Sequence, residues 1–294
     1  MLNKVVIFGV GLIGGSFALA LRRAGAVRHL VGVGRSAAAL ARARELGIID
    51  EACDSPEAAV QGADLVLLAA PVAQTGPILS RIAPCLESGT VVTDAGSTKT
   101  DVVAAAREAL GDRIAQFVPG HPIAGRESNG PDAAIPDLYA GRKVVLATLP
   151  ENVPQDIARV ADAWIACGAE IHMLSPEEHD RVFASVSHLP HLLAFGLVDD
   201  IARKPHAGLL FQYAASGFRD FTRIAGSSPE MWRDISLANR EALLAELDSY
   251  MLRLGQMRDM LAAGDGGALE AVYANAQRAR HEWIAAIEAA EGAK

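Results

Sequence analysis

The chain has 294 residues, of which 51% are hydrophobic and 21% charged, and its formal net charge is -8. This length suits two domains, and the acidic balance argues against nucleic acid or an anionic membrane as the main partner. The three cysteines are widely spaced without a CxxC pair, which indicates free thiols. With no signal-peptide pattern and no apolar run of bilayer length, we expect a cytoplasmic protein without a membrane segment.

A glycine-rich turn, Gly9-Val10-Gly11-Leu12-Ile13-Gly14, lies between the apolar run 5–8 and a helical stretch. In this context Gly9 permits a tight turn, Gly11 lets the main chain approach a pyrophosphate, and Gly14 allows close packing of the helix. The spacing therefore predicts a dinucleotide site at a helix N-terminus. The residues expected to contact the cofactor here are Gly9, Gly11, Leu12, Ile13, Gly14, Ala70 and Pro71.

The second strand, at 30–33, is followed by Gly34-Arg35-Ser36 and lacks the acidic residue that usually holds the ribose hydroxyls of NAD. Arg35 and Ser36 offer groups for the 2′-phosphate of NADP instead. The alternative is that Arg35 is a solvated residue beside the adenine. We expect NADP as the preferred cofactor, with NAD possible.

Up to residue 174, short β-rich runs alternate with helical stretches. The runs lie at 5–8, 30–33, 64–68, 90–93, 143–146 and 171–174. Apolar strands joined by helices predict a parallel sheet covered by helices on both faces. In Gly120-His121-Pro122, after the run 117–119, His121 is a candidate proton acceptor at a strand end or, alternatively, the cap of a turn.

After Ser175-Pro176 the pattern becomes helical. Helical periodicity covers 180–203, 229–261 and 269–290, with a glycine-rich break at 263–267. Ser175 is expected to cap the first of these helices, and Pro190 to kink it. The sequence thus predicts a dinucleotide-binding domain at 1–174 and an all-helical domain at 175–294 whose apolar helices pack against a second copy.

Five segments occur in an order that resembles the prephenate/arogenate (cyclohexadienyl) dehydrogenases of tyrosine biosynthesis. They lie at 9–16, 94–99, 120–125, 187–191 and 218–223. The resemblance implies oxidative decarboxylation of prephenate to 4-hydroxyphenylpyruvate, or of arogenate to tyrosine, with hydride transfer to NAD(P)+. It also implies an α/β architecture: a Rossmann-type parallel-sheet domain, then an all-α dimerisation domain like the C-terminal domain of 6-phosphogluconate dehydrogenase.

The resemblance assigns roles to the catalytic residues. His121 matches the histidine that accepts the proton of the ring hydroxyl, and Ser97 matches the serine that orients it. Ser97 also has the place of an N-cap for the helix that follows. Arg223 matches the arginine that holds a substrate carboxylate, with an ion pair to Asp220 as the alternative.

Other matches concern the substrate pocket. His191, with Ser187, corresponds to residues near the substrate side chain, and His188 is either a substrate contact or a buried core histidine. Trp232 resembles an aromatic residue contributed by the partner subunit, and as a core tryptophan it is equally explicable.

One pocket position departs from the family pattern. Glu127 matches an acid that modulates substrate or inhibitor binding, but Arg126 stands where many relatives carry a small hydroxyl residue. Arg126 either supplies a second cation or pairs with Glu127.

Tyrosine, if it inhibits, is expected to bind the active site itself, and no metal is expected. The remaining histidines, expected to be structural or exposed, are His29, His172, His179, His206 and His281.

Two alternatives are open. A β-hydroxyacid or 6-phosphogluconate-type dehydrogenase would need a catalytic lysine in the helical domain, where only Lys204 and Lys294 occur. A non-catalytic NADP sensor would not need the set Ser97, His121, His191 and Arg223, which favours an enzyme.

Overall fold

The structure is a computed structural model that describes residues 1–126 and 128–292. Its strands are β1 (Leu2–Phe8), β2 (Val27–Val33), β3 (Glu51–Ala52), β4 (Leu65–Leu68), β5 (Val91–Asp94), β6 (Phe117–Val118), β7 (Gly120–Pro122), β8 (Lys143–Leu146) and β9 (Glu170–Met173). Its helices are α1 (Leu12–Arg23), α2 (Ala37–Glu45), α3 (Pro56–Ala59), α4 (Thr75–Ile82), α5 (Thr100–Leu110), α6 (Pro154–Ala166), α7 (Pro176–Phe183), α8 (Leu189–Ala202), α9 (Ala207–Gln212), α10 (Ser216–Thr222), α11 (Pro229–Ala238), α12 (Arg240–Ala263) and α13 (Gly266–Gly292).

The main sheet has the strand order β3-β2-β1-β4-β5-β6, and every pairing in it is parallel. The strand order reverses between β1 and β4, which opens a crevice at the carboxyl ends of these strands. The predicted parallel dinucleotide-binding sheet is confirmed.

Two hydrophobic clusters pack on opposite faces of this sheet. Val5 and Ile7 of β1 belong to one cluster, which includes the fully buried Trp164. Val6 and Phe8 belong to the other, which includes Phe117. Successive residues of a strand point to opposite faces, so a strand buried on both sides is apolar throughout.

The runs at 143–146 and 171–174 do not extend the main sheet, contrary to the sequence expectation. They form β8 and β9 of a separate sheet with the order β7-β8-β9, in which β7 is antiparallel to β8. The chain leaves β6 at Pro119, whose carbonyl accepts the Ala147 N–H (2.9 Å), and continues as β7. His121 therefore lies within a paired strand, opposite Val145, rather than at an open strand end.

The helical segment starts as predicted. Ser175 caps α7: its hydroxyl accepts the Glu178 N–H (3.2 Å), and the Glu178 carboxylate accepts the Ser175 N–H (2.9 Å). A π-helical turn at Ala184–His188 precedes Pro190, which has no N–H to continue a regular helix. The predicted helix 229–261 is interrupted at Asn239, between α11 and α12.

The chain divides into two compact units, Met1–Leu243 and Leu244–Lys294. This division differs from the expected domain boundary at 174/175, because α7 contacts α5 and α11 contacts the turn after β4. The 174/175 boundary stays a prediction. In the second unit, the remainder of α12 and α13 leave large apolar side chains exposed, among them Met251, Leu252 and Trp283.

One described segment, Pro176–Ala202, is long and apolar enough to cross a membrane. No such run is expected from the sequence; α7 and α8, taken together across the π turn, supply it. Core helices of globular proteins have the same length and apolar composition.

Candidate active site

The glycine-rich turn is shaped as a dinucleotide site requires. Gly9 has φ +93°, and a Cβ there would lie 2.5 Å from the Ala69 carbonyl oxygen; a Cβ on Gly14 would lie 2.2 Å from the Gly9 oxygen. A Cβ on Gly11, by contrast, would meet nothing within 4 Å. No acidic residue occupies the first turn of α1. The open space at Gly11, beside a helix N-terminus without a competing carboxylate, fits a pyrophosphate.

The other predicted cofactor residues surround this turn. Ala70 and Pro71 follow β4, and the Ala69–Ala70 main chain lies against Gly9. The Leu12 side chain is buried in the core, and the Ile13 carbonyl accepts the Tyr139 hydroxyl (2.6 Å). Leu12 and Ile13 therefore offer main-chain N–H groups to this site.

At the end of β2, Arg35 is exposed, and Ser36 caps α2, its hydroxyl accepting the Ala39 N–H (3.2 Å). The capping role of Ser36 was not predicted. It leaves the hydroxyl proton available as a donor at the start of α2.

His121 lies on β7 with one ring nitrogen engaged and one available. Its Nδ1 lies 2.7 Å from Nε2 of His179, and the rings of both histidines contact Phe183. Its Nε2 makes no hydrogen bond with any described residue. Burial, aided by the nearby His179 and Lys99, lowers the pKa of His121 well below its ordinary value. A neutral imidazole with a free Nε2 is suited to accept a proton.

Asp180 fixes the second histidine. Nδ1 of His179 lies 2.8 Å from the Asp180 carboxylate, which also accepts the main-chain N–H groups of Lys99 and Thr100 (both 2.8 Å) and the Thr100 hydroxyl. Burial acts to raise the pKa of Asp180, but these hydrogen bonds outweigh it and hold the pKa below its ordinary value. A charged carboxylate thus caps the N-terminus of α5 and accepts from His179.

Lys99 and Asp94 form a fully buried ion pair, with 2.5 Å between Nζ of Lys99 and Oδ2 of Asp94. Asp94 also accepts the N–H groups of Gly96 (2.8 Å) and Gly120 (3.0 Å). The pair therefore ties the loop after β5 to the start of β7, the strand that carries His121.

His188 is buried at the end of the π turn. Its Nδ1 lies 3.0 Å from Nδ2 of Asn239, which also donates to the Asp180 carbonyl (2.8 Å). Its Nε2 is buried and makes no hydrogen bond of good geometry with a described residue, although the Ser97 main chain lies close to the ring. Burial lowers the pKa of His188 to about 4, so the ring is neutral at neutral pH.

His191 lies beside Trp232 and Arg223. Its ring stacks on Trp232 with centroids 3.5 Å apart and planes 18° apart, and its Nδ1 donates to the Ser187 carbonyl (2.8 Å). Burial lowers the pKa of His191, and the positive charge of Arg223 acts in the same direction. The structure thus brings these predicted substrate residues together within one chain.

Ser97 differs from its predicted roles. The hydrogen bond that orients His121 joins its Nδ1 to Nε2 of His179, and Ser97 makes no hydrogen bond with His121. The N-terminus of α5 is capped by Asp180 from α7, because the chain continues through Lys99 before the helix begins. The Ser97 main chain instead lies against His188.

Arg126 is exposed, and Glu127 lies outside the described residues.

No group of three or more possible metal-ligating side chains is found in the part of the chain that the structure describes. Lys204, the candidate base of the alternative dehydrogenase, is on the surface and pairs with Asp200 (2.8 Å).

The residues that sequence reasoning missed are those whose side chains form hydrogen bonds or ion pairs between the elements of the site. They are Asp94, Lys99, His179, Asp180 and Asn239. His179 was expected to be structural or exposed, yet it contacts His121 directly. A usable signal was present: an adjacent histidine and aspartate in the first turns of a helix with a clear capping box.

Two family profiles match the chain: the prephenate dehydrogenase nucleotide-binding domain over residues 17–173 and the prephenate dehydrogenase dimerization domain over residues 175–275. The cyclohexadienyl dehydrogenase of Zymomonas mobilis is 37% identical over 281 residues, covering 95% of both chains. The chain belongs to the prephenate dehydrogenase family.

Solved structures of family members have the same fold. The prephenate dehydrogenase of Aquifex aeolicus, in complex with hydroxyphenyl propionate and NAD+, superposes with a TM-score of 0.89 at 36% identity and covers 96% of this chain and 98% of its own. The arogenate dehydrogenase of Synechocystis gives 0.80 at 29% identity, covering 95% and 99%.

Proposed function

We propose that this protein is an NAD(P)-dependent dehydrogenase that oxidatively decarboxylates prephenate to 4-hydroxyphenylpyruvate, arogenate to tyrosine, or both. Membership of the family supports the reaction. The observation that carries the assignment is a neutral histidine with a free Nε2, on a strand that is hydrogen-bonded to the carboxyl end of β5 in the dinucleotide-binding sheet.

The nicotinamide dinucleotide is held by main-chain N–H groups at the start of α1 and by the loop after β4, with Gly9, Gly11 and Gly14 shaping the turn. When bound, it accepts a hydride from the substrate ring. The absence of an acidic residue after β2, together with Arg35 and Ser36, supports NADP as the preferred form. The similar structure from Aquifex aeolicus holds NAD+.

His121 is the proposed base. Its Nε2 takes the proton of the ring hydroxyl as the ring carbon loses its hydride. The proton returns to the oxygen when the ring carboxylate leaves as carbon dioxide and the ring becomes aromatic. No net proton is released in the reaction. His121 must be neutral at the start in order to accept the proton, and it holds this proton only until carbon dioxide leaves.

The positive charge of Arg223 beside His191 supports a carboxylate-binding role for this corner of the site. We propose that Ser187, His188, His191 and Trp232 line the pocket for the substrate side chain. Arg126, in the loop after β7, is proposed to act on the same substrate, as is Glu127. Tyrosine, if it inhibits, is proposed to compete there.

A homodimer in the cytoplasm is the proposed state of the protein. The dimerization profile over residues 175–275 supports the dimer, as do the exposed apolar side chains of α12 and α13.

Initial rates with prephenate and with arogenate, each tested with NAD+ and with NADP+, test the proposal. We expect turnover of at least one substrate and a higher kcat/KM with NADP+. Absence of turnover in all four combinations would refute the function. A strong preference for NAD+ would refute only the role given to Arg35 and Ser36.

A further inference from the structure

The site contains a second histidine that the reaction as described does not use. His179 lies on α7, is fully buried, and stands between His121 and Asp180. It joins the proposed base to a buried carboxylate.

The partners determine which nitrogens carry protons. Asp180 is ionised and accepts from three other groups, so Nδ1 of His179 must donate to it. In the neutral ring Nε2 of His179 is then an acceptor, and Nδ1 of His121 must donate to it across 2.7 Å. Nε2 of His121 is left without a proton and faces the proposed substrate hydroxyl.

We propose that His121 and His179 act as one base, in which His179 takes up the Nδ1 proton of His121 while Nε2 of His121 holds the proton of the substrate. The proposal rests on the proposed function. Two protons move: the hydroxyl proton of the substrate moves to Nε2 of His121, and the Nδ1 proton of His121 moves to Nε2 of His179. His179 then carries the positive charge beside Asp180, and both protons move back when carbon dioxide leaves. His179 is thus a positioning residue that acts through His121.

The surrounding charges decide where the proton is held. Burial and Lys99 oppose a charge on His179 and lower its pKa, whereas Asp180 and Asp94 favour the charge. On His121, burial, His179, Lys99 and His188 all oppose a charge, and no described carboxylate favours one. The cation is therefore better placed on His179, 2.8 Å from the Asp180 carboxylate.

The variant His179→Gln separates this role from simple orientation. A glutamine oxygen can still accept from Nδ1 of His121, but it cannot take a proton. We expect kcat to fall about tenfold or more and KM to stay within about twofold, because only proton acceptance is lost. We also expect the acid limb of the pH–rate profile to move to lower pH, since the remaining base binds its proton less tightly.

The control is His172→Gln, the same substitution at an exposed histidine on β9, for which wild-type kinetics are expected. An unchanged kcat in His179→Gln, or a lower kcat with an unmoved acid limb, would overturn the proposal in favour of orientation alone.

A second measurement does not depend on the variant or on turnover. Nitrogen-15 NMR of histidine-labelled wild-type protein at neutral pH should show both rings neutral and both protonated at Nδ1. Protonation of the His121 ring at Nε2 would overturn the proposal even if the enzyme turns over. If the NMR result is as expected but no substrate reacts, the failure lies with the proposed function.

Discussion

At the scale of single residues, the chemistry depends on His121 being neutral. We expect His121→Asn to lower kcat by a factor of about 10² to 10⁴, the usual contribution of a general base. KM should change little, and dinucleotide affinity measured by titration should match the wild type. Full turnover by this variant would remove His121 from the mechanism.

The buried Lys99–Asp94 pair makes a separate prediction about stability. Lys99→Met should lower the free energy of unfolding by about 3–5 kcal/mol, because Asp94 is left as an unpaired buried charge. Urea unfolding measures this, and the double variant with Asp94→Asn should recover part of the loss.

Lys204→Met is the matched control, since Lys204 forms an exposed pair with Asp200 and should matter little. Equal effects of the two lysine substitutions would contradict the importance given to burial.

At the scale of elements, different glycines of the glycine-rich turn are needed for folding and for cofactor binding. Gly14→Ala should destabilise the protein, because its Cβ would lie 2.2 Å from a main-chain oxygen. Gly11→Ala should fold like the wild type, because its Cβ would meet nothing within 4 Å, yet it should weaken dinucleotide binding about tenfold by filling the phosphate space. Thermal unfolding and cofactor titration of both variants test the pair, and a stable Gly14→Ala or a Gly11→Ala with normal affinity would contradict it.

The elements also show how far sequence reasoning reaches. The glycine turn and the Ser175 cap are local, so residue type and spacing predict them. The mixed sheet was missed because the run 143–146 has the composition of a main-sheet strand, and only its partner distinguishes it. His179 was missed because its role depends on contacts with His121, 58 residues away in sequence, and with the start of α5.

At the scale of the whole molecule, the buried histidines make stability depend on pH. The unfolded chain binds a proton at His188 near pH 6.5, whereas the folded protein does so only near pH 4. Stability should therefore fall as the pH drops from 6.5 to 4, by roughly 3 kcal/mol for this group, and this contribution should be constant below that range. The lowered pKa values of His121 and His179 act in the same direction.

Urea unfolding at several pH values measures this dependence, and His188→Gln should reduce its slope by about one proton. A flat wild-type profile, or an unchanged slope in the variant, would show that His188 is not held neutral by the fold.

The proposed dimer gives a further expectation. The wild-type protein should sediment with twice the mass of one chain, and replacing the exposed Met251 and Leu252 of α12 with glutamate should shift it towards the monomer by charging an apolar surface. Leu46→Glu, at an exposed residue that follows α2, is the control. A monomeric wild type at micromolar concentration would exclude a stable dimer.

Asp180 carries a consequence for assembly. One carboxylate completes the N-terminus of α5 and also sets the proton positions of the two histidines, yet it comes from a helix that follows the whole dinucleotide-binding sheet in sequence. A molecule in which α7 is not yet docked would already possess its glycine turn and could hold a dinucleotide, but it would have no oriented base. Catalytic competence therefore requires α7 to be docked, so a chain with α7 detached is expected to bind cofactor without consuming substrate.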